Sequence, residues 1–86
     1  MIKTAGANVS PREVEAAIAD ATGLVAHVVG IDDARRGQLV AAAIRVPRDG
    51  KRPDPEELHT LLRKRLSAYK VPQRFLLLAD DEVPML

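Results

Sequence analysis

The chain has 86 residues, of which 47% are hydrophobic and 29% charged, and its formal net charge is +1. This length and composition are those of one small globular domain, because so short a chain cannot bury enough surface for two cores. A net charge so close to zero provides no broad field that would attract nucleic acid or an anionic membrane. One Tyr and one Phe are the only aromatic residues, so base-stacking side chains are scarce and no nucleic-acid partner is expected.

Cysteine is absent from the sequence, which excludes disulfides, thiolate metal sites and cysteine nucleophiles within this chain. A cysteine-free sequence suits a reducing compartment, and we expect a cytoplasmic location. No apolar run approaches the roughly 20 residues that a transmembrane helix needs, so no membrane span is predicted.

The N-terminal segment predicts a hairpin followed by a helix. Residues 2–9 have β-branched ends around Gly6, which favours two short strands that turn at the glycine. Ser10 is a typical helix N-cap, a proline occupies the first helical position, and Glu13 completes a capping box. Apolar residues at helical spacing then predict a helix over residues 11–21.

The middle of the chain predicts two strands. Residues 24–31 are apolar on both faces apart from His27, which is typical of a central strand covered on each side. A turn at residues 32–38 leads to a second apolar strand at residues 39–46. The two strands are expected to pair antiparallel across this turn.

The last third predicts a helix and a strand. Residues 54–57 read Asp-Pro-Glu-Glu, which supplies a capping side chain, a proline at the first helical position and acids near the positive end of the helix dipole. A third strand is predicted over residues 74–79. The fold class is therefore α+β: a small antiparallel three-stranded sheet with an N-terminal hairpin and two main helices packed on it.

A self-contained active site is not visible in the sequence. His27 and His59 are predicted on different elements, so they do not form a metal-binding pair. The five glycines are isolated from one another, which excludes a glycine-rich phosphate loop. We therefore predict no catalytic residue and no metal site within this chain, and we expect the isolated chain to be inactive.

One stretch near the N-terminus carries a strong family signal. Residues 2–15 read Ile-Lys-Thr-Ala-Gly-Ala-Asn-Val-Ser-Pro-Arg-Glu-Val-Glu. This run resembles the motif that opens the C-terminal lid domain of the adenylate-forming (AMP-binding) superfamily, and of its acyl-CoA synthetases, including fatty-acid-CoA ligases, in particular. The likeness continues at residues 28–33, 36–37, 40–42, 66–72 and 81–84, so it covers nearly the whole chain.

The resemblance implies an activity for the whole enzyme. In this family a large N-terminal domain binds ATP and the acyl substrate, and the lid rotates after adenylate formation to present another face for thioester formation. Residues 1–86 would then be the mobile lid of a ligase that converts a carboxylic acid, ATP and CoA to acyl-CoA, AMP and pyrophosphate. The expected partners are CoA and the N-terminal domain of the same protein. Mg²⁺ is expected on that domain, and the isolated chain is expected to be monomeric and to bind no cofactor tightly.

Four cofactor-binding candidates are carried over by position. Lys3 and Gly6 would lie on the face that approaches the active site for thioester formation, where a glycine lets backbone approach the pantetheine arm of CoA. Arg63 matches the region that meets the 3′-phosphate of CoA, and Lys70 is a weaker candidate of the same kind. The competing structural interpretations are a turn glycine, a solvated strand lysine and cations that stabilise a helix end.

Several expectations remain open at this point. The hinge residue of the family is expected just upstream of Ile2, and the adenylation lysine is expected in a Pro-Thr-Gly-Lys-like segment directly after Leu86. The alternatives are a free-standing α+β module that binds a small ligand, or the lid of an acyl-AMP ligase or a peptide-synthetase adenylation domain. Asn-Val-Ser-Pro at residues 8–11 favours an acyl-CoA synthetase over the other two lids, but leaves undetermined the acid and the choice between CoA and a carrier protein.

Overall fold

The helices and strands follow the predicted order along the chain. A computed structural model describes residues 1–50 and 52–79, and within them the chain forms five strands, two α-helices and one short 3-10 helix. In chain order these are β1 (Ile2–Thr4), β2 (Ala7–Val9), α1 (Pro11–Thr22), β3 (Ala26–Asp33), β4 (Gly37–Val46), α2 (Pro55–Arg63), the 3-10 helix (Ala68–Lys70) and β5 (Arg74–Ala79). The α+β class, the N-terminal hairpin and the two main helices are confirmed. Residues 81–84, the last part of the family likeness, lie outside the described residues.

Helix α1 is capped at both ends. Ser10 precedes it in an extended conformation, and its hydroxyl accepts a hydrogen bond from the Glu13 N–H at 3.4 Å. Gly23 follows it at a φ of 73°, in the left-handed region, and donates its N–H to the Ala19 carbonyl at 2.7 Å. The predicted start of the helix is confirmed.

The sheet is larger than predicted because the hairpin joins it. Strand β4 pairs antiparallel with the whole of β3 along one edge. Along its opposite edge it pairs with β1, where Thr4 faces Gly37, and with β5. The predicted antiparallel pairing of β3 and β4 is confirmed, but β5 runs parallel to β4. The reason is the crossover through α2, which returns the chain to the starting end of β4 before β5 begins.

Strand β3 does not have the central position that its apolar sequence predicts. Within the described residues it lies at the edge of the sheet, and β4 is the central strand. Ala26 and Val28 are buried, whereas Val29 and Ile31 are 54% and 46% exposed. The prediction of a strand covered on both faces is therefore wrong, because an apolar run alone does not show which of its faces meets a neighbour.

The core lies between one face of the sheet and the two helices. Alternate residues of β4 point into it, as the period of two in a strand requires. The buried core residues from α1, α2, β3 and β4 are Val14, Ala17, Ile18, Ala26, Val28, Val40, Ala42, Ile44, Leu58 and Leu62. Both helices thus pack on the same face of the sheet. The hairpin and the turn between β3 and β4 lie together at one end of the sheet.

The edge of β3 is protected by a side chain of α1. An edge strand presents backbone N–H groups without a partner strand. The Val28 N–H donates to Glu15 Oε2 at 2.8 Å in a partly buried position. Glu15 therefore satisfies an edge donor and ties α1 to the sheet.

We expect Glu15→Ala to lower the free energy of unfolding by about 1–3 kcal/mol, because it leaves the Val28 N–H without its charged acceptor. Glu15→Gln is the matched control, since its amide oxygen still accepts this hydrogen bond and should recover much of the loss. Urea unfolding of both variants measures the effect. Equal stability of Glu15→Ala and the unmodified chain would show that the bond does not stabilise the fold.

Candidate functional site

The hairpin turns through two residues in the left-handed region. Ala5 has a φ of 51° and Gly6 a φ of 81°. A type I′ hairpin turn needs positive φ at both central positions, which glycine adopts freely and alanine adopts with strain. A Cβ added at Gly6 would meet no atom within 4 Å. The interpretation of Gly6 as a turn residue is confirmed, and the Gly6 backbone also faces open space.

Backbone and side-chain contacts hold this hairpin against the turn between β3 and β4. The Ala5 N–H donates to the Arg36 carbonyl at 3.0 Å, and the Lys3 N–H donates to Gln38 Oε1 at 2.9 Å. Gly37 has a φ of 82°, and a Cβ there would lie 3.5 Å from the Lys3 carbonyl oxygen. The backbone that carries Lys3 and Gly6 is therefore positioned by a turn some 30 residues further along the chain.

The turn between β3 and β4 is organised by Asp33. Its Oδ2 atom accepts hydrogen bonds from the Arg35 N–H at 3.1 Å and the Arg36 N–H at 2.9 Å. An aspartate that bonds the backbone two and three residues ahead stabilises a tight turn. This geometry directs the Arg36 carbonyl towards the hairpin, where it accepts from Ala5.

The sequence did not predict the group of arginines that lies beside this turn. Arg35, Arg36 and Arg74 are exposed and, with Asp33, Leu39 and Gln73, line an open depression of about 240 Å³. Guanidinium groups bind phosphate and carboxylate well, so this surface suits an anionic group. The parallel pairing of β4 with β5 brings Arg74 to this end of the sheet, and no sequence motif signals that pairing.

Lys70 ties the segment after α2 to the start of α1. Its ammonium group lies 3.0 Å from a carboxylate oxygen of Glu13 and 5.7 Å from the centre of the Tyr69 ring. The hydrogen bond to Glu13 raises the pKa of Lys70 above its ordinary value, although partial desolvation acts in the opposite direction. Lys70 thus has a structural partner, and its contact with CoA stays a prediction.

The four predicted cofactor-binding residues lie on different elements. Lys3 and Gly6 share the hairpin, and Lys3 is exposed. Arg63 is the last residue of α2, where a cation is favoured by the helix dipole, and Lys70 ends the 3-10 helix that follows. The structure therefore groups Lys3 with Gly6, while binding of CoA by any of the four stays a prediction.

The described parts of the chain, residues 1–50 and 52–79, contain no group of three or more His, Asp or Glu side chains placed to hold a metal ion. His27 and His59 are exposed on β3 and α2. In the same parts of the chain, no helix is long and apolar enough to cross a bilayer.

We expect Glu13→Gln to lower the pKa of Lys70, because the carboxylate is the main cause of its upward shift. A raised lysine pKa stabilises the fold fully below the unfolded-state pKa, and this stabilisation disappears as pH rises through the folded-state pKa. The stability difference between the unmodified chain and Glu13→Gln should therefore be constant near neutrality and shrink above about pH 10.

NMR titration of the Lys70 ε-methylene group measures the pKa, and urea midpoints between neutral and alkaline pH measure the stability difference. Lys70→Met is the matched control, because it removes the other member of the same ion pair. An identical Lys70 pKa with and without the Glu13 carboxylate would show that the pair does not form in solution.

Comparison with known proteins decides the family. Residues 13–85 match the family model described as the AMP-binding enzyme C-terminal domain. The chain belongs to this family. It is 45% identical over 74 residues to a feruloyl-CoA synthase from Amycolatopsis sp, which covers 85% of this chain and 15% of that protein. It is 39% identical over 84 residues to the fatty acid–[acyl-carrier-protein] ligase ScoC from Streptomyces coeruleorubidus, which covers 96% of this chain and 16% of that ligase.

A solved relative shares the fold of this AMP-binding enzyme C-terminal domain. The o-succinylbenzoate CoA synthetase (MenE) from Bacillus subtilis, in complex with the acyl-adenylate intermediate OSB-AMP, superposes with a TM-score of 0.83. The identity is 30%, and the match covers 96% of this chain and 16% of that one. The chain thus spans about 15% of the length of the curated relatives it matches. The family predicted from the sequence motifs is confirmed.

Proposed function

We propose that this chain is the mobile lid of an ATP-dependent acyl-CoA synthetase and contributes the face used for thioester formation. Membership of the family supports the first part. The observation that supports the second is Gly6 in the left-handed turn, where the backbone faces open space. Because glycine has no Cβ, a narrow substrate arm can approach its backbone closely.

The proposed reaction has two steps, and the chain acts in the second. A carboxylate oxygen of the acid first attacks the α-phosphorus of ATP, which forms the acyl-adenylate and releases pyrophosphate. The thiolate of CoA then attacks the acyl carbon, and AMP leaves. The N-terminal domain of the same protein would bind ATP, the acid and Mg²⁺, while the hairpin would approach the pantetheine arm of CoA.

The charges around the hairpin support an anionic substrate. Lys3 is exposed on β1, and the turn that holds β1 carries the exposed Arg35 and Arg36. Several cations at one end of a small domain attract phosphate groups, although the whole chain is nearly neutral. We retain Arg63 and Lys70 as proposed contacts of CoA, while Lys70 would have to leave Glu13 to make one.

The acceptor and the location are part of the proposal. CoA is named for two of the relatives and an acyl carrier protein for the third. We propose CoA as the acceptor, because Asn-Val-Ser-Pro at residues 8–11 resembles acyl-CoA synthetases more than the other lids of the superfamily. A cytoplasmic location is proposed with it, because a cysteine-free chain suits a reducing compartment.

A lid exchange tests the proposed function. In the feruloyl-CoA synthase from Amycolatopsis, this chain replaces the matching segment, and the remainder of that enzyme supplies all other parts. We expect the resulting chimera to release AMP from ATP in the presence of ferulate and CoA. ATP–pyrophosphate exchange, which reports adenylate formation, is measured beside it. A folded chimera that exchanges pyrophosphate but forms no thioester would overturn the proposed role in thioester formation. A carrier protein supplied in place of CoA tests the other acceptor.

Substitution of Gly6 separates its turn role from its proposed role in thioester formation. Asparagine tolerates the left-handed region, so Gly6→Asn keeps the turn but places a side chain in the open space beside it. We expect the chimera with Gly6→Asn to form thioester at least about tenfold more slowly, because the new side chain would displace the pantetheine arm of CoA from its reactive alignment. Adenylate formation should be unchanged.

Ala5→Asn is the matched control for this substitution. It adds the same side chain to the neighbouring residue of the turn and relieves the strain of alanine at a φ of 51°. The two half-reactions are followed by AMP release and by pyrophosphate exchange. If Gly6→Asn and Ala5→Asn form thioester equally fast, then Gly6 serves the turn alone.

A further inference from the structure

Gln38 holds the hairpin to the sheet through its side chain. Strands β1 and β4 share one ladder pair, Thr4 with Gly37. Immediately beside it, Gln38 Oε1 accepts the Lys3 N–H at 2.9 Å. At Lys3 this side-chain amide thus takes the place of a further backbone hydrogen bond between β1 and β4.

The Gln38 amide occupies space that a side chain at Gly30 in β3 would otherwise fill. A Cβ added at Gly30 would lie 2.8 Å from Gln38 Nε2 and 2.9 Å from Gln38 Cδ. Such distances do not occur for real Cβ atoms, so any side chain at Gly30 would displace the amide. Gly30 is not among the residues with positive φ, so its backbone does not require glycine. A side chain at this position can therefore be accommodated only if the Gln38 amide moves away from it.

The two residues and the hairpin form a continuous chain of contacts. Gly30 leaves room for the Gln38 amide, the amide accepts from Lys3, and the next residues of the hairpin form the turn at Ala5 and Gly6. The turn is also attached to the sheet by the bond from the Ala5 N–H to the Arg36 carbonyl. The Thr4–Gly37 pair and the Ala5 bond would remain after loss of the Gln38 contact, but β1 would be less restrained at Lys3.

We infer that Gln38 and Gly30 act as positioning residues that set the orientation of the hairpin for thioester formation. Neither is proposed to touch the substrate, and the kinetic consequence rests on the function proposed above. A shift of about 1 Å at a reacting group can cost about 100-fold in rate, so a small tilt of the hairpin is sufficient.

Three substitutions in the chimera test this inference. Gln38→Ala removes the acceptor, Gly30→Ala retains Gln38 but displaces its amide, and Gln38→Glu keeps an oxygen that accepts from Lys3. We expect the first two to slow transfer of the acyl group from the adenylate to CoA by about 10- to 100-fold. Gln38→Glu should retain most of the rate. ATP–pyrophosphate exchange should be unchanged in all three, and an equal loss in both half-reactions would show a merely structural role.

The double substitution provides a sharper criterion. In a Gln38→Ala background no amide remains to clash with a Cβ at residue 30. Gly30→Ala should therefore add no further loss of thioester formation to Gln38→Ala. Losses that multiply would show that the two residues act independently and would overturn the inference.

Amide hydrogen exchange on the 86-residue chain tests the contact apart from any activity. We expect the Lys3 N–H to exchange about 3- to 10-fold faster in Gln38→Ala and Gly30→Ala, as loss of one net hydrogen bond requires. The Ala5 N–H, which has its own acceptor, should change less. Unchanged exchange at Lys3 would overturn the inference, whatever the activity.

The outcomes separate the inference from the function on which it rests. An inactive chimera with the unsubstituted chain would contradict the proposed function, while exchange at Lys3 would still report the Gln38 contact. An active chimera in which neither Gln38→Ala nor Gly30→Ala slows thioester formation would overturn the positioning role alone. Faster exchange at Lys3 with a selective loss of thioester formation would support both.

Discussion

The central position of β4 is the constraint on which the rest of the structure depends. Within the described residues, β1, β3 and β5 all pair with β4, and β2 joins the sheet through β1. The residues of β4 suit this central position. Its inward side chains, such as Val40 and Ile44, fill the core, while alanines occupy much of its other face. A strand bonded along both edges can hold short elements that are not stable alone.

The candidate site lies where the hairpin meets the start of β4. Gly37 and Gln38 meet the hairpin, while the preceding turn offers the Arg36 carbonyl to Ala5. A three-residue strand such as β1 has few ladder bonds of its own, so its orientation follows the groups that meet it. The site is therefore a surface feature whose geometry is set by a turn remote in sequence.

The two glutamates of the family motif have structural partners. Glu13 pairs with Lys70 across the start of α1, and Glu15 accepts the edge N–H of Val28. Both contacts join α1 to segments that follow it in the chain. Residues 2–15 therefore combine a hairpin with two glutamate side chains that attach α1 to the rest of the domain.

The sequence by itself determined the elements and the family. Caps at Ser10 and Asp54 and a glycine at the hairpin turn act over a few residues, so they are readable without the fold. The direction of β5, the edge position of β3 and the contact between Gln38 and Gly30 were decided by the tertiary structure. Each depends on which strands become neighbours, and an apolar strand carries the same pattern of residues at the edge of a sheet as at its centre.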